Sequence, residues 1–527
     1  MTGAATASAS TISPQTPPAV DVVFETDRPF LNFPQLRDRT TCSGTGIFRQ
    51  SGNQRARSEF HSMTTGSSAE SVLTQEEHAV QTKNLESRAL KGTYYIVFFY
   101  AVALSLRMLS SIVLSRLFTP EYFGVMALLT TVLVGLNLFS HIGLQDSIIQ
   151  NARGDEPLFL NTAWTLQVLR GVGLWVMTIA LAWPVAAFYH EPRMIALFPA
   201  LGFGCVIAGV SSPSLLTLSR HMGVGKLSFL ELLAQLVQFI VTLGWALYQP
   251  TLWALVGGRI AAELARTIAS YFMMPELRPS FAWDKECVST LMHFGKWILV
   301  GTALTFLAQQ SDRLILGKLI SFELLGVYGI AFSLSDLPRQ IISQFCTRVG
   351  FPFIARFAEQ SRAEYRRILL KYRLPVLAVG GLMIIFVICI GDKFIVHVYD
   401  HRYHQAAWMI GILAAGLWHT LLYSTINPAI LSLSKAHYNA AGYLAYCITL
   451  FTLIPLGYHY YGMLGAVVAV ALSDLPVYFV VLYAAYREGV GTFLQDVLTT
   501  AGFIVTLAGA LALRMAFGLG LPFHGAH

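Results

Sequence analysis

The residue of this chain whose position most demands a chemical reason is Arg107. It lies nine residues before Arg116, inside the apolar run 93–115, about 13 Å in at helical rise. A guanidinium at such depth in a bilayer costs about 2.5–3.5 kcal/mol on insertion scales. It is tolerated where it lines a cavity, meets a partner or snorkels to an interface, and no carboxylate stands within a turn of it. Arg170, in the run 160–188, also lacks a nearby acid. Arg313 follows Asp312 and sits close to Lys318, so an interfacial position competes with a site there. Asp336 and Arg339 are three residues apart beside Pro338, a spacing that allows a pair on one helix face. Arg259, Glu263 and Arg266 read as a structural set of the same kind, while Glu231 and Asp474 are lone acids in apolar runs. Each of those two either takes up a proton or cation or lies near an interface. Unpaired cations therefore outnumber unpaired anions, and guanidinium groups bind phosphate bidentately. The candidate substrate-binding residues for an anionic ligand are Arg107, Arg170, Arg313 and Arg339; Glu231, Asp336 and Asp474 are the candidates for ion coupling.

Other chemistry finds little support. His397, His401 and His404, with Asp392 and Asp400, imitate a zinc spacing, but no HExxH or CxxC motif accompanies them, and a solvated loop is the expected reading. His141 and His419 fall in apolar runs and read as polar packing groups. Six scattered cysteines read as small hydrophobes. No catalytic residue, metal or cofactor is expected.

The elements that hold these charges follow from composition. Of 527 residues, 55% are hydrophobic and 12% charged, and mean hydropathy is +0.57. A soluble chain carries about 25% charged residues. The apolar runs are about 20 residues long and do not alternate, which fits helices crossing a hydrocarbon core of about 30 Å and not a barrel. Runs fall at about 93–115, 122–142, 160–188, 194–216, 227–248, 251–273, 295–317, 324–346, 374–391, 406–430, 438–459 and 463–486, with a thirteenth at 497–518. The expected fold is an all-α polytopic membrane protein of about 12–14 transmembrane helices. Pro213, Pro338, Pro428, Pro455 and Pro476 interrupt runs, as where helices bend around a cavity. The stretch 352–373 reads as a basic amphipathic helix lying on anionic lipid.

Residues 1–90 are polar and lack apolar periodicity, so they are expected to be a disordered cytoplasmic tail, with Met63 an alternative start. The net charge of +7 is placed in loops and not against nucleic acid: fifteen Lys and Arg fall on the side of the tail against five on the other. The positive-inside rule then puts the N-terminus in the cytoplasm.

An internal repeat sets the architecture. Arg116–Val125 (RLFTPEYFGV) aligns without gaps on Lys318–Val327 (KLISFELLGV), with four of ten positions identical. Six spans separate the copies, so both halves share one orientation. The expected domains are a six-helix lobe at 91–274, a cytoplasmic linker at 275–294, a second six-helix lobe at 295–486 and an extra hydrophobic segment at 487–527. The two parallel lobes would flank a central cavity.

At these residues the chain resembles the Wzx-type oligosaccharide flippases, the polysaccharide transporter family of the multidrug/oligosaccharidyl-lipid/polysaccharide exporter superfamily. The resemblance rests on Ile112–Gly124 (IVLSRLFTPEYFG) and Ser311–Lys318 (SDRLILGK), and more weakly on His141–Gln150, Ser212–Arg220 and Gly350–Arg356. It implies alternating-access transport of polyprenyl-pyrophosphate-linked oligosaccharide across a bacterial inner membrane, for exopolysaccharide, O-antigen or capsule assembly. Membrane lipids, a polysaccharide polymerase and chain-length machinery would be its partners. The rivals are a drug or cation exporter of the same superfamily, whose cavity would be dominated by acids, a flippase for lipid-linked peptidoglycan precursor, and a membrane glycosyltransferase or ligase, which commonly needs a larger outer loop.

Overall fold

A computed structural model describes residues 98–140, 144, 148, 151–220, 224–274 and 279–522. The tail 1–90, Met63, His141, most of 141–150 and part of the 275–294 linker lie outside the described residues. Every regular element among the described residues is helical. In chain order they are α1 (Phe98–Leu117), α2 (Pro120–Phe139), α3 (Pro157–Tyr189), α4 (Met194–Gly209), α5 (Ser214–Arg220), α6 (Val224–Tyr248), α7 (Leu252–Met273), α8 (Lys285–Leu319), α9 (Phe322–Ser335), α10 (Leu337–Phe345), α11 (Phe351–Ala355), α12 (Arg362–Val398), α13 (Ala406–Ser432), α14 (His437–Leu472), α15 (Leu475–Arg487) and α16 (Phe493–Ala516). The chain is a polytopic helical membrane protein. The end of the bundle where α1 begins is the near end here, and the end where it stops is the far end.

Among the described residues, seven single helices are long and apolar enough to cross a membrane, the joined run His437–Arg487 counts as an eighth, and α4 with α5 forms a ninth bent by 68°. Of the further crossings read from the sequence, 251–273 falls on α7, which carries Arg259, Glu263 and Arg266, and 295–317 lies within the longer α8; the others fall on interrupted elements. The stretch 322–355 is broken into α9, α10, a π turn at Cys346–Gly350 and α11. The run 437–487 turns back at Gly462, whose φ of 59° is a left-handed conformation that glycine takes without strain. A methyl on Gly465 would sit 2.0 Å from the carbonyl oxygen of Gly457. Eight residues of straight helix span about 12 Å, so the two arms of α14 run antiparallel.

The 37 residues of α12 reach about 55 Å, well beyond one hydrocarbon core. Ser361 caps its start, the side chain accepting from the N–H of Glu364. Residues 362–373 are thus the first three turns of a spanning helix, not part of a separate surface helix. The sequence misled here because Arg362, Arg366, Arg367, Lys371 and Arg373 give those turns a basic, amphipathic pattern.

The break between α4 and α5 is satisfied by neighbours, as lipid requires of exposed backbone. Trp164 donates to Ser211 O at 3.0 Å, Gln167 to Gly209 O at 3.0 Å, and the Ser212 N–H to Ser270 Oγ at 2.9 Å.

The two repeat copies fold alike. Each is the last turn of one helix, an extended cap residue (Thr119, ψ 152°; Ser321, ψ 153°) and the first turns of the next helix. They also pack on each other at the far end. A methyl on Gly124 would sit 1.9 Å from Phe322 O, and a methyl on Gly326 would sit 1.9 Å from Pro120 O. Positions 120 and 322 are equivalent in the repeat, as are 124 and 326, so the contact obeys two-fold logic within one chain. Around it the largest buried cluster joins Val125, Leu128 and Leu129 of α2 to Leu325, Val327 and Tyr328 of α9.

The α2–α9 contact cannot accept a side chain without parting the helices at the far end. Gly124→Ala and Gly326→Ala should each loosen that end. With a cysteine at the fully buried Ser115 in a background free of native cysteines, thiol labelling from the far side should rise several-fold in either variant. An unchanged rate would show that the contact does not hold the end shut.

Candidate functional site

The far end is sealed between the halves of the chain. Tyr403 Oη donates to Phe118 O at 3.1 Å, Arg402 Nη2 to Arg116 O at 3.3 Å, and Arg116 Nη2 to Val398 O at 3.4 Å. Arg402 is itself aimed by Asp400, whose Oδ1 accepts from Nε at 2.8 Å. That guanidinium holds the Asp400 carboxyl below the usual carboxylate range.

Arg107 lies beneath this seal. One turn nearer the far end on the same face of α1, Ser111 Oγ accepts from Tyr399 Oη at 3.1 Å, so this face is turned toward the other half. Arg107 is exposed and has no hydrogen bond or ion pair among the described residues.

The other cations are engaged. Arg170 on α3 braces the end of α2: its Nε donates to Ser140 Oγ at 3.0 Å and its Nη2 to Asn137 O at 2.9 Å. Those acceptors are end groups of a helix, which need a partner inside a membrane. Arg313 on α8 donates to Gln310 Oε1 at 3.2 Å and lies 5.7 Å from the centre of the Phe332 ring. Gln310 in turn accepts from Thr131 on α2, and the buried Asp312 accepts from Tyr328 Oη at 2.8 Å. Glu231 is exposed two turns into α6 from the near end, apart from these groups.

Asp336 and Asp474 share a feature of sequence. Leu334-Ser-Asp-Leu-Pro338 and Leu472-Ser-Asp-Leu-Pro476 are the same pentapeptide. Both make the same structure: a helix stops at the Asp, and a new one starts with proline in its first turn, where the missing N–H costs nothing. Each carboxylate therefore sits at the positive end of a helix dipole. Asp336 pairs with Arg339 and accepts from Gln340 Nε2 at 3.1 Å. Asp474 accepts from Thr420 Oγ1 at 2.6 Å. Thr420 and Arg339 line one small cavity, which brings the two breaks together, and the buried Nε2 of the neighbouring His419 has no hydrogen-bond partner among the described residues. The cluster thus holds two carboxyl groups and one guanidinium. The sequence reading held Asp336 and Asp474 as separate candidates; the repeated pentapeptide was the signal that unites them.

Two further ion pairs escaped it. Arg373 is fully buried in α12 and spends its donors on Asp496 Oδ1 (2.8 Å), Thr425 Oγ1 (3.0 Å), Leu422 O (3.1 Å) and Gln495 Oε1 (3.1 Å). At the opposite end of the same two helices, Arg514 on α16 grips both carboxylate oxygens of Asp392. Arg373 thus belongs to no loop, as the charge count had it, and Asp392 is not part of the histidine loop. The legible signal was reciprocal polarity: α12 reads Arg then Asp, and α16 reads Asp then Arg, at nearly equal spacing.

A family described as polysaccharide biosynthesis protein matches residues 113–408. The chain belongs to this family. The match includes Arg170, Glu231, Arg313, Asp336 and Arg339 and leaves Arg107, Asp474 and α16 outside. Among curated relatives, the lipopolysaccharide biosynthesis protein WzxC of Escherichia coli is 22% identical over 54% of this chain and 59% of its own length. The teichuronic acid biosynthesis protein TuaB of Bacillus subtilis is 22% identical over 60% of this chain and 66% of its own. The chain thus spans about six-tenths of the length of these relatives. Its fold is similar to the lipid II flippase MurJ in an inward closed conformation, at TM-score 0.59 and 9% identity over 80% of this chain and 98% of that one. It is also similar to an inward-facing transporter of the MATE family, at TM-score 0.57 and 11% identity over 73% and 94%.

Breaking a buried pair while leaving its partner charged costs about 3–5 kcal/mol. Arg514→Ala should lower the thermal midpoint of the purified protein by several degrees, and Asp392→Arg combined with Arg514→Asp should recover most of the loss. A double variant no better than the single one would show that the pairing itself contributes nothing.

Proposed function

We propose that the chain is a flippase carrying polyprenyl-pyrophosphate-linked oligosaccharide across the bacterial inner membrane, with the N-terminus in the cytoplasm. The observation that carries the reading is Arg107: a guanidinium without a partner among the described residues, on the face of α1 that meets the other half, just beneath a sealed end. The family, the named relatives and the flippase-like fold support it. The diphosphate would bind at Arg107, and the lipid tail would stay in the bilayer. Arg170 and Arg313 retain N–H groups beyond those used in bracing and would add to the same positive field, as would Arg339. The seal between the repeat copies would part when the near end closes, giving alternating access.

The Asp336–Arg339–Asp474 cluster supplies a coupling element on this reading. Its two carboxyl groups would take up a proton or cation on one side of the cycle and release it on the other. Glu231 would act, if at all, from the near-end interface. No step needs a catalytic residue. A polymerase and chain-length proteins would receive the product.

Arg107→Ala removes one charge-assisted contact, worth about 1.5–3 kcal/mol, or roughly tenfold to hundredfold in substrate affinity. Arg107→Lys should rescue only part, because the ammonium lacks the fork, and Arg107→Glu should abolish transport. The measurement is restoration of surface glycan in a deletion strain, with membrane abundance determined alongside. Full restoration by the Glu variant at normal abundance would remove Arg107 from the substrate path. Loss of the protein itself in all three variants would assign it a structural role.

A further inference from the structure

The side of the bundle formed by α12 and α16 carries an open groove of about 700 Å³. The ion pairs Arg373–Asp496 and Asp392–Arg514 fasten the two helices at both ends. Between them the helices do not close up. Trp418 of α13 forms the floor, stacked on Phe503 with ring centres 4.2 Å apart and donating to Thr500 Oγ1 at 2.9 Å. The walls are apolar and open: Leu374 is 53% exposed, Leu382 59% and Leu498 63%. At Gly502, on the groove, an added methyl would meet nothing within 4 Å.

One end of this groove is polar and cationic. Arg366 lines it there, with Nε donating to Gly491 O at 2.8 Å. Its exposed guanidinium has no acid partner among the described residues. Arg362, Arg367 and Lys371 are exposed on the same turns of α12. From Leu494 to Thr506 the apolar wall on α16 runs about 18 Å. One leaflet of hydrocarbon is about 15 Å deep, half of the usual core.

We propose that this groove is a binding site for one phospholipid of the near-end leaflet, its acyl chain along Trp418 and its anionic headgroup on Arg366. Length and charge both select this occupant. The groove ends within about one leaflet, which suits a single acyl chain better than a long polyisoprenoid. The Arg366 guanidinium keeps its terminal N–H groups for a headgroup phosphate at that end, and the neighbouring cations, which outnumber Glu364 beside Arg367, favour a lipid with net negative charge. Burial of the exposed leucines against an acyl chain would complete the packing of α16, which touches the rest of the protein mainly along α12. The proposal does not rest on the transported substrate.

The full-length protein, purified in mild detergent, would be offered phosphatidylglycerol, phosphatidylethanolamine and a polyprenyl phosphate at equal concentration. Retained lipid is then counted by native mass spectrometry. The expected result is about one phosphatidylglycerol per chain, retained at least fivefold over either competitor. Gly502→Trp should fill the groove and remove it, and Arg366→Gln should erase the preference for phosphatidylglycerol over phosphatidylethanolamine. Equal retention by wild type and Gly502→Trp would overturn the site. So would preferential retention of polyprenyl phosphate, or a dimer mass without lipid, which would name a different occupant. Should Gly502→Trp fail to accumulate, Arg366→Gln decides alone: an unchanged lipid preference in that variant overturns the proposal.

Discussion

The arrangement turns on a contact in which no side chain takes part. Gly124 and Gly326 let the carbonyl oxygens of Phe322 and Pro120 approach to where a methyl would otherwise stand. In a bilayer there is little hydrophobic drive to press helices together, so association depends on how closely backbones can come. Two glycines at equivalent positions give that closeness twice, and the surrounding buried residues of α2 and α9 interlock because of it. The hydrogen bonds of Arg116, Arg402 and Tyr403 then form between groups already in register. Remove the glycines and those bonds lose their geometry. The seal is therefore made of backbone proximity first and polar contacts second, and among the described residues its hydrogen bonds join the halves without a buried ion pair between them.

The distribution of charge follows from the same solvent. Arg373, Asp496, Asp392 and Arg514 are expensive in lipid, and each is matched to an opposite charge and further acceptors. Arg170 meets helix-end oxygens, and Arg259 meets Glu263 at 3.1 Å. These groups hold helices. Arg107 and the paired helix breaks are different. The first is an exposed cation with no acid partner among the described residues, and the second sets two carboxyl groups, Asp336 buried and Asp474 partly so, beside one partly exposed guanidinium. On the proposed function, a phosphate would complete the first and a proton or cation the second, and such incomplete pairing would separate groups that bind a ligand from groups that build the bundle.

How far this could be read from the sequence depended on the range of each interaction. Helix class was legible because lipid imposes it on every residue of a run. The repeat was legible because two copies of one local solution, a cap followed by a glycine one turn on, leave two similar strings. The Leu-Ser-Asp-Leu-Pro pair is equally visible as a string, but its offset of 138 residues differs from the 202 of the first repeat, so the first repeat does not lead to it. Residues 362–373 were misread because a long helix that emerges from the membrane has the same basic, amphipathic pattern as one lying on it. Only the continuity of backbone through Arg373 separates the two.

The pairs that fasten α16 show where local reading stops. Arg373 and Asp496 are 123 residues apart, and Arg514 and Asp392 are 122 apart. Asp392 has only Lys393 beside it and the other three have no opposite charge within a turn, so each alone reads as a loop charge or a snorkelling end. What constrains them is that two parallel helices must agree at both ends at once. Arginine at the start of one requires an acid at the start of the other, and the same condition, reversed, applies at the far end. Such a condition belongs to a pair of segments and to no residue singly. A search for helices with complementary charge order at matched spacing would find it, whereas a search for motifs would not. The fastening at two points also explains why the groove between them stays open: α16 is fixed by its ends, and Trp418 with Phe503 props the middle, so the leucines on either wall are left facing the bilayer.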